Sequence, residues 1–369
     1  MLFGLGGNGE VMKIYRHGII GMGNISSDHI KGMEAIPQLG LYAICEPNEA
    51  LLHEKGDLFG IPLERRFRSS DELLKQDDVD SISICTPNHT HTQLVKESLR
   101  HRKPFAVEKP LSLSLTEAEQ LKSIIDKDPL PHMLCFSYRF MPAARYARWI
   151  VQNGQIGQVQ HIYCQYLQGW GNDAARPLTW RFRKEFCGTG ALGDLGSHII
   201  DLTRFIAGDF ESVYAQSGVI MPRRPLPENP EQFGDVDVDD YTHFLTKMRC
   251  GATGMYAFTR FAYGWRNLQT IHIYGSKGGI VYSQDLIDGK LQDHLHACIG
   301  DVSFRSNTFT ELHIPMEHRL TQMEAFAKIL SGNKHTMAAT IEDGYNCEQV
   351  MDAVQRSAQS ESWVSCSKA

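Results

Sequence analysis

The chain lacks the marks of several large protein classes. Its nine cysteines are odd in number, widely spaced and never arranged as C-x-x-C, which argues against a disulfide framework or a zinc knuckle. Lysine and arginine never run together for more than a few residues, and the net charge is −6. A nucleic-acid or acidic-membrane surface is therefore not expected. No apolar stretch is long enough to span a bilayer. The first residues do not show a basic segment followed by an apolar one, so no signal peptide is expected. These absences point to the reducing cytoplasm, with Cys45, Cys85 and Cys135 read as small buried hydrophobes. Internal repeats and low-complexity tracts are also missing. What is present is ordinary globular composition over 369 residues, 42% hydrophobic and 22% charged, enough for two domains with sizeable cores.

Short apolar strands alternate with amphipathic helical stretches across residues 13–137. Strands are expected near 14–20, 41–45, 81–85, 104–107 and 132–136, and helices near 24–35, 48–57, 90–101 and 114–127. Such alternation predicts a doubly wound parallel sheet. The pattern then changes. After a helix at 141–153, a strand at 158–168 and a helix at 190–207 come strand-rich segments at 212–220, 240–249, 252–261, 268–275 and 278–283, several joined by hairpin-like turns. They predict a second domain on a largely antiparallel sheet, closed by helices near 318–331 and 341–358. The expected division is an extension at 1–12, a dinucleotide-binding domain at 13–137 and a second domain at 138–369. The proline-rich stretch 222–237 reads as a surface loop.

Two glycine patterns compete for the nucleotide site. Gly4-Leu5-Gly6-Gly7-Asn8-Gly9 fits G-x-G-x-x-G by letter, but three residues are too few for a preceding strand and no periodic helix follows. The motif works only between a strand and a helix. Residues 1–11 are therefore read as a flexible extension or the product of an upstream start, with Met12 an alternative start. The second pattern, Gly21-Met22-Gly23-Asn24-Ile25-Ser26, follows an apolar run and opens a helix. Gly21 would permit the tight turn, and Gly23 would let the backbone approach a pyrophosphate on the helix N-terminus. Glu46 ends the next strand, where a carboxylate accepts hydrogen bonds from an adenosine ribose. A carboxylate there repels a 2′-phosphate, so NAD is expected in preference to NADP.

Two further features carry chemistry. In Phe105-Ala-Val-Glu108-Lys109-Pro110 an apolar strand stops on a charged pair, and proline blocks its continuation. Lys109 then stands at the carboxyl end of a parallel strand, where open α/β sheets bind ligands. Downstream, Gly188-Thr-Gly-Ala-Leu-Gly-Asp194-Leu-Gly-Ser-His198-Ile-Ile-Asp201 puts Asp194, His198 and Asp201 on one helix face. An imidazole near neutral pKa can take a hydroxyl proton. His89-Thr90-His91 diverge at a helix start, and no metal is expected there or elsewhere.

Taken in order, these motifs resemble the glucose–fructose oxidoreductase/inositol dehydrogenase (Gfo/Idh/MocA) family over nearly the whole chain from residue 13. The resemblance rests on Gly21 to Ile25, on Cys85-Thr86-Pro87-Asn88 with His91, and on Glu108-Lys109-Pro110. Trp180-Arg181-Phe182 and Gly188 to His198 complete it. It implies a Rossmann domain plus an α/β domain whose open sheet mediates a homodimer or homotetramer. It implies Lys109, Asp194 and His198 as catalytic residues. Gly21, Gly23, Asn24, Ile25, Glu46, Thr86, Pro87, Asn88, His91, Glu108 and Lys109 would lie along the dinucleotide. Ser26 departs from the family's usual glycine or alanine and puts the packing of that helix in question. Tyr166-Leu-Gln168-Gly-Trp170 resembles the branch acting on inositols, anhydrosugars and glycosides, which makes Tyr138, Gln168, Trp170 and Arg181 candidate substrate contacts. The implied reaction is hydride transfer between a secondary alcohol of a cyclic polyol or sugar and the nicotinamide. The alternatives are an NAD-assisted glycosidase and a non-catalytic NAD-binding sensor.

Overall fold

The computed structural model describes residues 2–5, 11–300, 308–333 and 336–367. The chain divides into two compact units. The first comprises Met1–Ser112, Thr116–Phe136 and Leu320–Tyr345; the second comprises Leu113–Leu115, Ser137–Arg319 and Asn346–Ala369.

In the first unit, β1 (Leu2–Leu5), β2 (Val11–Ile20), β3 (Leu39–Cys45), β4 (Arg66–Phe67), β5 (Ser81–Ile84), β6 (Phe105–Glu108) and β7 (His132–Cys135) form one sheet. Its parallel part has the order β4-β3-β2-β5-β6-β7. Helices α1 (Asn24–Glu34), α2 (Glu49–Leu58), α3 (Ser70–Leu74), α4 (His91–Arg100) and α5 (Leu115–Lys127) connect successive strands. The strand order reverses between β2 and β5, the switch point at which such sheets bind ligands. Ile82, Ile84, Phe105, Ala106, Val107, Met133 and Leu134 are fully buried, as strands covered on both faces require.

Two expectations are corrected here. Residues 2–5 are not a flexible extension but a strand, paired antiparallel with β2 in the register Leu2↔Ile14 to Leu5↔Val11. Gly6, Gly7, Asn8 and Gly9 of the first glycine pattern lie outside the described residues. The single cut after 137 is also too simple, because Leu320–Tyr345 returns to the first unit. There the Tyr15 hydroxyl donates to Leu330 O at 2.9 Å, and Leu134 N donates to Ala339 O at 2.8 Å. Helix α9 (Gln322–Leu330) opens with a complete capping box between Thr321 and Glu324.

The second unit holds a nine-stranded sheet. In chain order its strands are β8 (Val159–Leu167), β9 (Phe210–Gly218), β12 (Tyr241–Met248), β13 (Thr253–Thr259), β14 (Leu268–Gly275), β15 (Gly278–Ile287), β16 (Lys290–Ile299), β17 (Thr310–Glu311) and β18 (Val364–Ser365). The spatial order is β17-β16-β15-β14-β8-β13-β12-β9-β18, antiparallel throughout except for the pair β13–β8. Alternation along β12 and β13 buries Phe244, Tyr256 and Phe258 on one face and leaves Leu245 and Met255 exposed on the other. On the buried side lie α6 (Pro142–Gln152), α8 (Ser197–Ala207) and the second-unit part of α10 (Ile341–Ser360).

Residues 222–237 are more than a surface loop. Strands β10 (Arg223–Pro225) and β11 (Phe233–Asp235) pair antiparallel. Nearby, Leu178, Phe182, Cys187, Val236 and Val238 form a hydrophobic cluster of their own. Arg224 is fully buried, donating to Gly171 O and Asp173 O and lying over the Phe182 ring.

Candidate active site

The nucleotide turn is built as the second glycine pattern requires. Gly21 has φ +90°, and a Cβ there would stand 2.8 Å from Cys85 O, so only glycine fits. At Gly23 the opposite holds: a Cβ would meet nothing within 4 Å. Helix α1 then begins without a capping side chain and with no acid in its first turn, leaving its N-terminal amides available to an anion. Ser26, at the third glycine position, is fully buried, and its hydroxyl donates back to Gly23 O at 2.6 Å. The packing question is thus answered by a side chain that satisfies itself locally. Asn24 and Ile25 are exposed on the first turn of α1.

Glu46 stands at the end of β3. One carboxylate oxygen accepts Met22 N at 3.0 Å and the other accepts Asn48 N at 3.1 Å. The carboxylate therefore closes the glycine turn, and each oxygen keeps further acceptor capacity. Thr86, Pro87 and Asn88 follow β5, and the Thr90 hydroxyl donates to Thr86 Oγ1 at 2.6 Å. His91 is fully buried, with its ring nitrogens 2.8 Å from Pro110 O and 2.9 Å from Thr86 O. It ties the loop after β5 to the proline after Lys109. Burial holds its pKa below the ordinary histidine value, against the pull of the two carbonyls. With its pKa held down, the imidazole carries one N–H and donates to one of these two carbonyls. Glu108 is also buried, its carboxylate 2.9 Å from His29 Nε2. Lys109 is half-buried, and the Lys109-Pro110 peptide bond is cis.

In the second unit, the glycine-rich run before α8 forms a π-helical turn, Leu192–Gly196, that leads directly into α8. Such turns recur at functional sites. Close packing explains the glycines. A Cβ on Gly190 would fall 1.8 Å from Asp239 O, and one on Gly196 would fall 2.9 Å from the Phe258 ring. The Asp239 carboxylate accepts Gly190 N, Leu192 N and the Thr242 hydroxyl at 2.7–2.9 Å. Burial raises its pKa, and these donors work against the rise.

Asp194 faces Arg260, whose Nη2 donates to Asp194 Oδ2 at 3.0 Å and to Gly190 O at 3.0 Å. The guanidinium is buried and lies over the rings of Trp170 and Phe182. His198 is buried in the first turn of α8, its ring centroid 4.4 Å from that of Tyr138. The second acid of the expected face has a different role: Asp201 is 1% exposed and forms a two-point ion pair with Arg139 at 2.7 and 2.5 Å.

A chain of contacts joins the surroundings of Asp194 and His198. From Trp170, the indole Nε1 donates to Gln168 Oε1 at 2.5 Å, and Gln168 Nε2 donates to Asn267 Oδ1 at 2.8 Å. Asn267 Nδ2 donates to the Tyr138 hydroxyl at 3.1 Å, and the Tyr166 hydroxyl joins both. Of the candidate substrate contacts, Tyr138, Gln168 and Trp170 are thus brought together. Arg181 is exposed, its guanidinium stacked on Trp180.

Comparison with known proteins bears on the fold and the family. Residues 15–134 match the model of an oxidoreductase family with an NAD-binding Rossmann fold, and residues 144–281 match the GFO/IDH/MocA C-terminal domain. Levoglucosan dehydrogenase from Pseudarthrobacter phenanthrenivorans is 30% identical over 94% of this chain and 97% of its own length. The chain belongs to the Gfo/Idh/MocA oxidoreductase family. Another member, myo-inositol 2-dehydrogenase from Thermotoga maritima, is 30% identical over 72% of this chain and 74% of its own. A solved structure of levoglucosan dehydrogenase in complex with NADH superposes with a TM-score of 0.87 at 28% identity, covering 97% of this chain and all of that one.

Arg260, Asn267 and Asp239 were not anticipated from the sequence of this Gfo/Idh/MocA member. Arg260 follows β13 and Asn267 precedes β14, 66 residues beyond Asp194 and 69 beyond His198; neither position carries a local pattern that distinguishes it from an ordinary polar strand end.

Proposed function

We propose that this oxidoreductase is an NAD-dependent dehydrogenase of a cyclic sugar, with an anhydrosugar of the levoglucosan type as its first substrate class and an inositol as its second. The ordering follows the relatives: the named levoglucosan dehydrogenase aligns with nearly the whole chain, the inositol enzyme with less of it. One observation carries the reading. Beside His198 and Asp194 stands a wall of hydroxyl, amide and indole groups from Tyr138, Tyr166, Gln168, Trp170 and Asn267, the chemistry that sorts the hydroxyls of a sugar ring.

The first unit fits the cofactor. Open space at Gly23, the uncapped start of α1 and the carboxylate of Glu46 suit a dinucleotide diphosphate and an unphosphorylated ribose. NAD, when bound, supplies the hydride acceptor. His198 takes the proton of the substrate hydroxyl as the carbinol hydrogen leaves as hydride, giving a ketone. Lys109 stabilises negative charge developing on the same oxygen. Asp194, paired with Arg260, accepts hydrogen bonds from neighbouring substrate hydroxyls. NADH formation followed at 340 nm over a panel of anhydrosugars, inositols, pyranoses and glycosides tests the reading. Turnover of none of them, or glycoside cleavage without net NADH, would overturn it.

A second copy of the chain is proposed to cover the outer face of the nine-stranded sheet. Tyr214, Leu245, Met255 and Tyr163 are direct cross-strand neighbours over β9, β12, β13 and β8, and each is 40–51% exposed. A contiguous apolar row of this kind marks an association surface. Leu245→Glu should convert the assembly to monomer in sedimentation; a wild-type monomer at micromolar concentration would refute the proposal. Among the described residues no helix is long and apolar enough to cross a membrane.

A further inference from the structure

The parallel sheet of the first unit should have a purely apolar interior, yet a line of polar groups crosses it. His17 Nδ1 is 2.8 Å from Ser81 Oγ, and His17 Nε2 is 2.8 Å from Ser83 Oγ. Ser83 Oγ is 2.9 Å from His29 Nδ1, and His29 Nε2 is 2.9 Å from Glu108 Oε1. The other oxygen of Glu108 accepts the backbone amide of Lys109 at 3.3 Å. The Glu108 carboxylate therefore bridges helix α1, which opens the nucleotide turn, and the peptide that presents Lys109.

Proton counting leaves two ways to fill this line. With one proton on each imidazole, donation runs from Ser81 through His17, Ser83 and His29 to Glu108, and one negative charge stays buried. With a second proton on His29, donation reverses between His29 and Ser81, and His29 with Glu108 forms a neutral pair. Burying net charge is costly, so the paired filling is favoured. Burial pulls the His29 pKa down, but Cys85, Cys135 and Glu108 raise it more, leaving it well above the ordinary value. His17 goes the other way, to about 3, through burial and the neighbouring His29. The groups facing His29 are His17 from β2, Ser83 and Cys85 from β5 and its end, Glu108 from β6 and Cys135 from β7. His29, Glu108 and Cys135 also have their ligand atoms within 4.8 Å of one another. However, 2.9 Å between His29 and Glu108 is a hydrogen-bond length, shorter than two ligands on one tetrahedral zinc would keep.

We propose that His29 is a positioning residue for Lys109: as the cationic partner of Glu108, it cancels the carboxylate's charge beside the lysine and holds the end of β6 to helix α1. The proposal rests on the reading of Lys109 as a catalytic residue. The test uses the full chain with saturating NAD and the variants His29→Gln, Glu108→Gln and the double variant. Imidazole nitrogen NMR on the wild type should show His29 protonated on both nitrogens from pH 6 to pH 8, and on one only in Glu108→Gln. His29→Gln, which leaves the Glu108 carboxylate buried without its cationic partner, should lower kcat roughly 10-fold, a size typical of coupled neighbours. The double variant, which like Glu108→Gln carries no buried charge, should recover most of that loss. A singly protonated wild-type His29, a stoichiometric bound zinc, or a double variant whose loss is the product of the two single losses would each overturn the proposal. A merely structural role would lower urea stability in step with kcat and show no recovery. Should the wild type oxidise no sugar at all, the functional reading fails and Lys109 is no longer the object, while the NMR result still judges the ion pair on its own.

Discussion

Arg260 donates to Asp194 at 3.0 Å from a guanidinium that is 1% exposed, while the Asp194 side chain keeps 26% of its surface. One partner is sealed from solvent and the other is partly exposed. Arg260→Met should lower kcat/KM by roughly 10²-fold, the scale of a lost charge-assisted contact at a reacting substrate. Arg260→Lys should recover part of that. An Arg260→Met enzyme with unchanged kcat/KM would remove Asp194 from the mechanism.

The two glycines of the nucleotide turn should separate folding from binding. Gly21→Ala forces a side chain onto Cys85 O at a positive φ and should cost about 1–3 kcal/mol of stability in urea. Gly23→Val has room in the protein and should leave stability within about 0.5 kcal/mol, as an uncrowded surface change does, while abolishing NAD binding by calorimetry. Tight NAD binding by Gly23→Val would show that the dinucleotide does not pass over this residue.

Cofactor preference should follow Glu46. The wild type is expected to bind NAD more tightly than NADP, and Glu46→Ser to narrow the gap. Glu46 also accepts Met22 N and Asn48 N, so the serine variant should weaken both cofactors somewhat as the turn loosens. Equal affinities in the unmutated protein would refute the ribose assignment.

The pH profile should assign the base. The acidic limb of kcat/KM is expected to disappear in His198→Ala and persist in Lys109→Met, with each alanine variant losing about 10²–10⁴-fold in kcat. Survival of the limb in His198→Ala and its loss in Lys109→Met would reverse the roles.

His17 predicts a separate pH effect, on stability. Its folded pKa of about 3 lies below the unfolded value near 6.5. Between the two the unfolded chain binds the extra proton, so stability is full above pH 6.5 and falls as the pH drops toward 3. The slope for one proton is about 1.4 kcal/mol per pH unit. Urea midpoints from pH 7 to pH 4.5 should fall more steeply in the wild type than in His17→Gln. Parallel slopes would show that His17 does not carry the effect.

Much of the first unit was legible in the sequence because its rules are local. Strand–helix alternation, a glycine at a positive-φ turn and a carboxylate at the end of the next strand each declare themselves within a few residues. The expected strands at 41–45, 81–85 and 132–136 differ from β3, β5 and β7 by no more than about two residues, the usual uncertainty of element ends. The arginine pair at 223–224 shows the limit. Its proline-rich setting reads as a surface loop, yet Arg224 is buried under carbonyls contributed by Gly171 and Asp173.

By itself the sequence determined the fold class and the family, because short-range periodicity and motif order suffice for each. Only the tertiary structure decided the partners of the buried charges. It paired Asp201 with Arg139, Asp194 with Arg260 and Glu108 with His29, and it turned His91 onto two backbone carbonyls. The physical reason is that a buried charge must find a complement wherever folding brings one, and these complements lie 62, 66 and 79 residues away for the three pairs. Sequence spacing carries no record of such distances, whereas desolvation makes each pairing compulsory once the chain has closed around it.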